Sequence, residues 1–138
     1  MRRELTISDR PIDEAAWVAA RRNDSTQGAV LQFAGVVRDS EGGATILGLD
    51  YSSFVAMAER QFHLLFDEME RRWPISSVRL VHRLGPIKAG ETSLWVETVA
   101  GHRGEAFAAT QWLIDEMKRV VPIWKKPLPI SSETSGSG

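Results

Sequence analysis

Apolar and polar positions alternate along this chain with two different periods, and the periods lay out its elements. From Ala29 to Val37 the period is two: Leu31, Phe33 and Val37 fall on one face, and Val30, Gln32, Ala34 and Val36 on the other, as in a strand. Gly35 inside it predicts a bend or a close backbone approach. The strand ends at Arg38 and Asp39 before a Glu41-Gly42-Gly43 turn, and Thr45 to Ser52 predicts a second strand. Phe54, Met57, Ala58, Phe62, Leu65, Phe66 and Met69 then recur at helical spacing, with Glu59, Arg60, Glu68 and Arg71 outside. They predict a long amphipathic helix that closes at Trp73-Pro74. Val78 to Leu84 alternates again, with Val78, Leu80, His82 and Leu84 on one side. Gly85-Pro86 breaks it, Lys88 to Glu91 turns, and Ser93 to Ala100 is a further strand. Nearer the N-terminus, Leu5-Thr6-Ile7 reads as a short strand. Asp9 followed by Pro11 reads as the start of a helix that Ala15 to Ala20 continue.

The last periodic segment follows Gly101-His102-Arg103. Ala106, Phe107, Thr110, Ile114, Met117 and Val121 form one buried stripe, and Pro122 stops the helix while pushing Val121 out of the α region. Lys118 then sits in the last turn, and the chain leaves extended past Trp124 to Lys125 and Lys126. Ala29–Ser52 and Val78–Ala100 read as consecutive strand pairs joined by short turns. The predicted fold is α+β, a mostly antiparallel sheet with packed helices.

Composition narrows the function more than the fold. A chain of 138 residues is one domain, read as residues 1–126 with a flexible Ser-Gly-rich tail over 127–138. Cysteine is absent, which excludes disulfides, thiolate metal sites and a cysteine nucleophile, so any sulfur chemistry takes its sulfur from another molecule. The net charge of −1 argues against a general polyanion surface, so no nucleic-acid partner is expected and any basic site is local. No apolar run follows Met1 to Leu5; neither a signal peptide nor a membrane span is expected, and the cytoplasm is the expected compartment. No metal-ligand spacing, dinucleotide fingerprint, Walker loop or Ser-His-Asp pattern occurs, so no metal and no cofactor is expected.

Three basic stations stand at the ends of regular elements: Arg38, His102 with Arg103, and Lys118 with Lys125 and Lys126. Held by rigid elements, they would make a compact cationic site for a small phosphorylated or carboxylated ligand. Solvated surface charge is the plainer alternative, since a lysine in a helix's last turn offsets the helix dipole. Trp124, set between Pro122 and the lysine pair, favours a fixed segment. His63 reads as a satisfied or surface histidine, and His82-Arg83 as structural.

Six blocks occur in a fixed order: Phe33 to Asp39; Leu49-Asp50-Tyr51 with Met57-Ala58-Glu59; Val81 to Gly85; Gly90-Glu91; His102-Arg103 with Ala106-Phe107; and Lys118 with Val121 to Lys126. Over roughly residues 4 to 126 the ordered set resembles the large, catalytic subunit of molybdopterin synthase. The resemblance implies an α/β-hammerhead type of fold and a sulfurtransferase of molybdenum-cofactor biosynthesis. Its partner would be a small ubiquitin-like subunit that brings sulfur as a thiocarboxylate on its C-terminal Gly-Gly. Its substrate would be cyclic pyranopterin monophosphate, converted to the dithiolene molybdopterin. It also implies a homodimer with one small subunit at each end, a heterotetramer. By position, Lys118 and Lys125 match the family's catalytic lysines. Arg38, with Val36 and Val37 before it, His102, Arg103 and Lys126 match substrate-binding positions, and Phe33 and Ile114 match the pocket lining, with ordinary core as their alternative. After the lysine pair the family usually continues with an acidic residue and a longer tail, whereas Pro127-Leu128-Pro129-Ile130 follows here. That departure keeps a second reading open, a non-catalytic homologue that binds a ubiquitin-like tail or a small phosphorylated ligand.

Overall fold

The computed structural model describes residues 1–130, and its strands divide between two sheets. In chain order the elements are β1 (Arg2–Ser8), α1 (Glu14–Ala19), β2 (Ala29–Val36), β3 (Ser40–Glu41), β4 (Ala44–Ser53), α2 (Val55–Arg72), β5 (Ile75–Arg83), β6 (Gly85–Lys88), β7 (Thr92–Ala100), α3 (Arg103–Val120) and β8 (Ile123–Pro129). The first sheet runs β1-β5-β7-β2, antiparallel except for the parallel pair β1/β5. In the second, β4 is flanked by β6 and β8, and β3 pairs with its opening residues. The predicted α+β class with mostly antiparallel pairing is the observed one.

The predicted partners of the strands are not the observed ones. β2 and β4 follow each other in sequence, yet β2 hydrogen-bonds to β7, from Ala29 opposite Ala100 to Val36 opposite Thr92, while β4 belongs to the second sheet. The expected break at Gly85-Pro86 is itself a strand. Gly85 takes a φ of 88°, which only glycine adopts at little cost, and so turns the chain from β5 into β6. Pro86 is tolerated there because β6 is an edge strand. The first helix begins later than Asp9 and Pro11 predict, because Asp13 caps it: its Oδ1 accepts from the Ala16 N–H at 3.1 Å. Within the tail expected from residue 127, Pro127, Leu128 and Pro129 pair with Leu49, Gly48 and Ile46 of β4. The rest of that expected tail, 131–138, lies outside the described residues.

The helical stripes hold at their centres and slip at their edges: Phe54, Met57 and Phe107, expected inside, are exposed, whereas Ala109 and Leu113 of α3 are fully buried. Phe62, Phe66 and Met69 of α2 and Ala109, Leu113 and Met117 of α3 bury against Val78, Leu80 and Val96 of the first sheet. Each of the larger side chains contributes about 1.5–3 kcal/mol by leaving water. The opposite face is covered too: Trp17 of α1 lies over Trp95, ring centroids 5.9 Å apart, beside a buried ion-pair cluster in which Glu97, 1% exposed, accepts from Arg79 and Arg21. A smaller core of Val37, Ile46, Leu49 and Ile87, with Tyr51 against it, belongs to the second sheet. Among the described residues no helix is long and apolar enough to cross a membrane.

The two sheets depend on one close approach. A Cβ at Gly48 would stand 2.0 Å from the Ile87 carbonyl oxygen, so only glycine lets β6 pair with β4 there. Gly48→Ala is expected to destabilise the protein by about 2 kcal/mol or more, read as a fall in the urea midpoint, because backbone must move to admit the methyl group.

Candidate active site

Backbone pairing brings parts of seven elements to one place. The end of β2, β3, the middle of β4, the end of β5, the start of β7, the last turn of α3 and the start of β8 enclose a cavity of about 580 Å³. Arg38 enters it just past β2. The preceding Val37 is clamped, its N–H donating to the Glu91 carbonyl at 2.9 Å and its carbonyl accepting from Gly90 N–H at 2.8 Å. Lys118 enters from the last turn of α3, which Pro122 ends as the spacing predicts; Ser53 Oγ donates to the Pro122 carbonyl at 2.8 Å and ties that corner to β4. Lys125 stands on β8 directly opposite Tyr51 of β4, so the two side chains share a face.

Charge is unbalanced here. Lys125 Nζ lies 3.5 Å from Glu41 Oε2, whereas Arg38 and Lys118 have no ion-pair partner among the described residues. Three cations thus face one carboxylate, in a cavity whose remaining walls include Phe33, Val36, Leu49 and Val121. A concave, partly apolar site with excess positive charge suits an anion attached to a flat or apolar body.

The sequence reading passed over Tyr51 and His82, which line the same cavity. His82 was grouped with Val78 and Leu80 as one structural face. It is indeed buried, at 5% exposure, but it lies where that face runs out into the cavity. Its Nδ1 is 2.9 Å from the Arg83 carbonyl oxygen, and the Tyr51 ring meets it edge-on at 5.4 Å. Burial pushes the imidazole below its usual pKa, only partly opposed by that backbone hydrogen bond, so the ring is neutral at pH 7.

Other predicted positions lie elsewhere in the monomer. His102, with its side chain 86% exposed and 3.8 Å from Glu105, and Arg103 stand at the N-terminus of α3. Lys118 stands fifteen positions along the helix from Arg103, roughly 22 Å at the α-helical rise. Lys126 follows Lys125 on the strand and faces the other way, opposite Asp50. Ile114 lines a second, more open cavity of about 400 Å³ between β2 and α3, where Phe33 borders both cavities. Among the described residues no group of three or more His, Asp or Glu is placed to hold a metal ion.

With this geometry in hand, comparison with known proteins is decisive. The family model described as MoaE protein matches residues 7–120, from β1 through α3. The chain belongs to the MoaE family. The molybdopterin synthase catalytic subunit of Staphylococcus carnosus (strain TM300) is 39% identical over 102 residues, covering 74% of this chain and 68% of its own. That of Staphylococcus epidermidis (strain ATCC 12228 / FDA PCI 1200) is 32% identical over 126 residues, covering 91% and 83%. Among solved structures, the molybdopterin synthase of Staphylococcus aureus superposes with a TM-score of 0.79 at 32% identity, covering 91% of this chain and 89% of that one. A Helicobacter pylori complex of subunits 1 and 2 of molybdopterin-converting factor shares the fold, with a TM-score of 0.72 at 20% identity over 93% and 89% of the chains. The MoaE match takes in Arg38, His102, Arg103 and Lys118, while β8 with Lys125 lies beyond it.

The excess charge is testable without the natural substrate. Inorganic phosphate is expected to bind this cavity more weakly as salt rises, and Glu41→Gln is expected to tighten it severalfold by freeing Lys125; isothermal titration of both proteins checks this.

Proposed function

We propose that this chain is the catalytic subunit of a molybdopterin synthase, acting in the cytoplasm. It transfers sulfur from the C-terminal thiocarboxylate of a small ubiquitin-like carrier to cyclic pyranopterin monophosphate, and the product is the molybdopterin dithiolene. One observation carries the reading: in a member of the MoaE family, Arg38, Lys118 and Lys125 converge from three separate elements on one cavity with an excess of positive charge.

The chemistry calls for such a site. The substrate phosphate is an anion, and an arginine can hold it through two parallel hydrogen bonds while lysines act as point charges. Attack by the thiocarboxylate sulfur forms a carbon–sulfur bond as an oxygen leaving group departs, and negative charge builds that fixed cations stabilise where water is scarce. Lys118 and Lys125 take that role, with Arg38 on the phosphate. Phe33, Val36 and Val37 form the apolar wall against the pterin. Atom balance adds two requirements: water must open the acyl–sulfur bond left by the attack, so that the carrier departs as a carboxylate, and a second thiocarboxylated carrier must repeat the sequence, because a dithiolene holds two sulfurs.

His102 and Arg103 fit this reading only when a second copy of the chain supplies them, because α3 holds them far from Lys118 of the same chain. Ile114 sits one helical turn before Lys118, in the adjoining groove through which such contacts, or the carrier's tail, would approach. Lys126, facing away opposite Asp50, supports the strand pairing on this reading and reaches substrate only from another face.

Two measurements test the proposal. With thiocarboxylated carrier and cyclic pyranopterin monophosphate the chain is expected to yield dithiolene, and Lys118→Ala to lower turnover by about 100-fold. Its melting temperature should stay within a few degrees, since an exposed end-of-helix lysine contributes little to stability. Carrier binding without any sulfurated product would instead favour the non-catalytic homologue. Mixing inactive Arg103→Ala and Lys118→Ala chains and allowing subunits to exchange should restore part of the activity, because one of the two sites in a mixed dimer is then intact. No recovery in exchanged dimers would place both residues in the same chain's site.

A further inference from the structure

One buried titratable group in the cavity has no part in the steps above. His82 is fixed in the first sheet, paired with Ile7 of β1 on one side and Leu94 of β7 on the other, so its backbone cannot shift without breaking two ladders. The Arg83 oxygen, 2.9 Å from Nδ1, can only accept, so Nδ1 carries the proton and Nε2 presents a lone pair. Nε2 has no hydrogen-bond partner among the described residues. Nor is it sealed off, since Arg83 Nε is the one buried side-chain nitrogen or oxygen there without a partner. Edge-on contact with Tyr51 holds the ring in plane, and Tyr51 in turn neighbours Lys125 across β4 and β8.

We propose that His82 Nε2 accepts the proton of the water that releases the carrier. The assignment rests on the sulfur-transfer reading. Water oxygen bonds to the acyl carbon of the carrier–sulfur–pterin adduct as one of its protons passes to Nε2. The acyl carbon–sulfur bond then breaks, its electron pair stays on sulfur, and the imidazolium returns its proton to the thiolate or to solvent. No atom changes oxidation state overall, so no oxidant or reductant is needed. The other ionisable groups of the cavity suit the task less well. Arg38, Lys118 and Lys125 are cations, the Glu41 carboxylate is drawn toward Lys125, and the Tyr51 hydroxyl is a far weaker base than an imidazole nitrogen. His82 alone among them combines a fixed position, a neutral ring and an unused acceptor.

His82→Asn tests this, because the shorter amide can still donate to the Arg83 carbonyl while nothing stands where Nε2 was. His82→Gln provides a second variant that reaches the Nε2 position with an amide that is not a base. Turnover of both is expected to fall by about 100-fold or more, the usual range for a lost general base, with KM for the pterin nearly unchanged. Intact-mass measurement of the carrier should then show an adduct heavier by the pterin, accumulating in the variants and not in the parent. Turnover within threefold of the parent in either folded variant, or a loss of turnover without any adduct, would overturn the assignment while leaving sulfur transfer in place. Failure of the parent itself to form product would overturn the sulfur-transfer reading and His82's role with it.

Discussion

The site follows from a requirement of the backbone: β4, lying between two neighbours, must have its hydrogen-bonding groups satisfied on both edges. β6 serves one edge and β8 the other, over the same stretch from Gly48 to Tyr51. Because β6 continues directly from β5, the end of the first sheet is drawn to that stretch. Because β8 continues from α3, so is the last turn of the helix. Arg38, Lys118, Lys125 and His82 are far apart in sequence and meet because the strands and turns that carry them have nowhere else to pair. A side chain delivered in this way is held by ladders and corners rather than by its own contacts, which leaves its polar end free to meet a ligand.

The molecule shows two ways of treating charge. Under α1, the carboxylate of Glu97 is enclosed by two arginines whose donors it accepts, and the Arg79 guanidinium also lies over the rings of Trp17 and Trp95. Burial pushes that carboxyl up, yet the hydrogen bonds from Arg79 and Arg21 prevail and hold it below its usual range. The ion pairs of this cluster are matched, at the wall of a further cavity of about 420 Å³ lined also by Arg2, Arg3 and Arg22. In the candidate site cations outnumber the carboxylate, and two of them lack any charged partner among the described residues. Excess like charge disfavours the folded state, and an anion bound among these cations would relieve it.

Periodicity made much of this readable and pairing did not. The α2 and α3 helices, the stop at Pro122 and the β2 strand are local properties and appear where their spacing predicts, although in α3 Phe107 turns outward and Leu113 inward. That β2 pairs with β7 rather than with β4 is a matter of long-range partner choice, which alternation does not encode. The same gap hid β6, because Gly85-Pro86 carries a turn signature even where an edge strand begins. His82 is buried on the face its alternation predicts, but a period of two does not say where along the strand that face stops being covered, and there His82 borders the cavity. For Arg103 and Lys118 the information was present. A helix of the predicted length must hold its two ends far apart, so within one chain Arg103 and Lys118 do not meet.

β8 gives the molecule a last property, concerning the company it keeps. The strand lies at the margin of its sheet, and margins of this kind invite stray chains to add themselves on. Pro127 and Pro129, two residues apart, withhold their donors along one margin of the strand, with Lys125 and Lys126 just before them. Wherever those ring nitrogens point, the run has fewer amide hydrogens to offer than an ordinary strand of its length, and the same short run that delivers Lys125 to the cavity is thereby a poor template for an added strand.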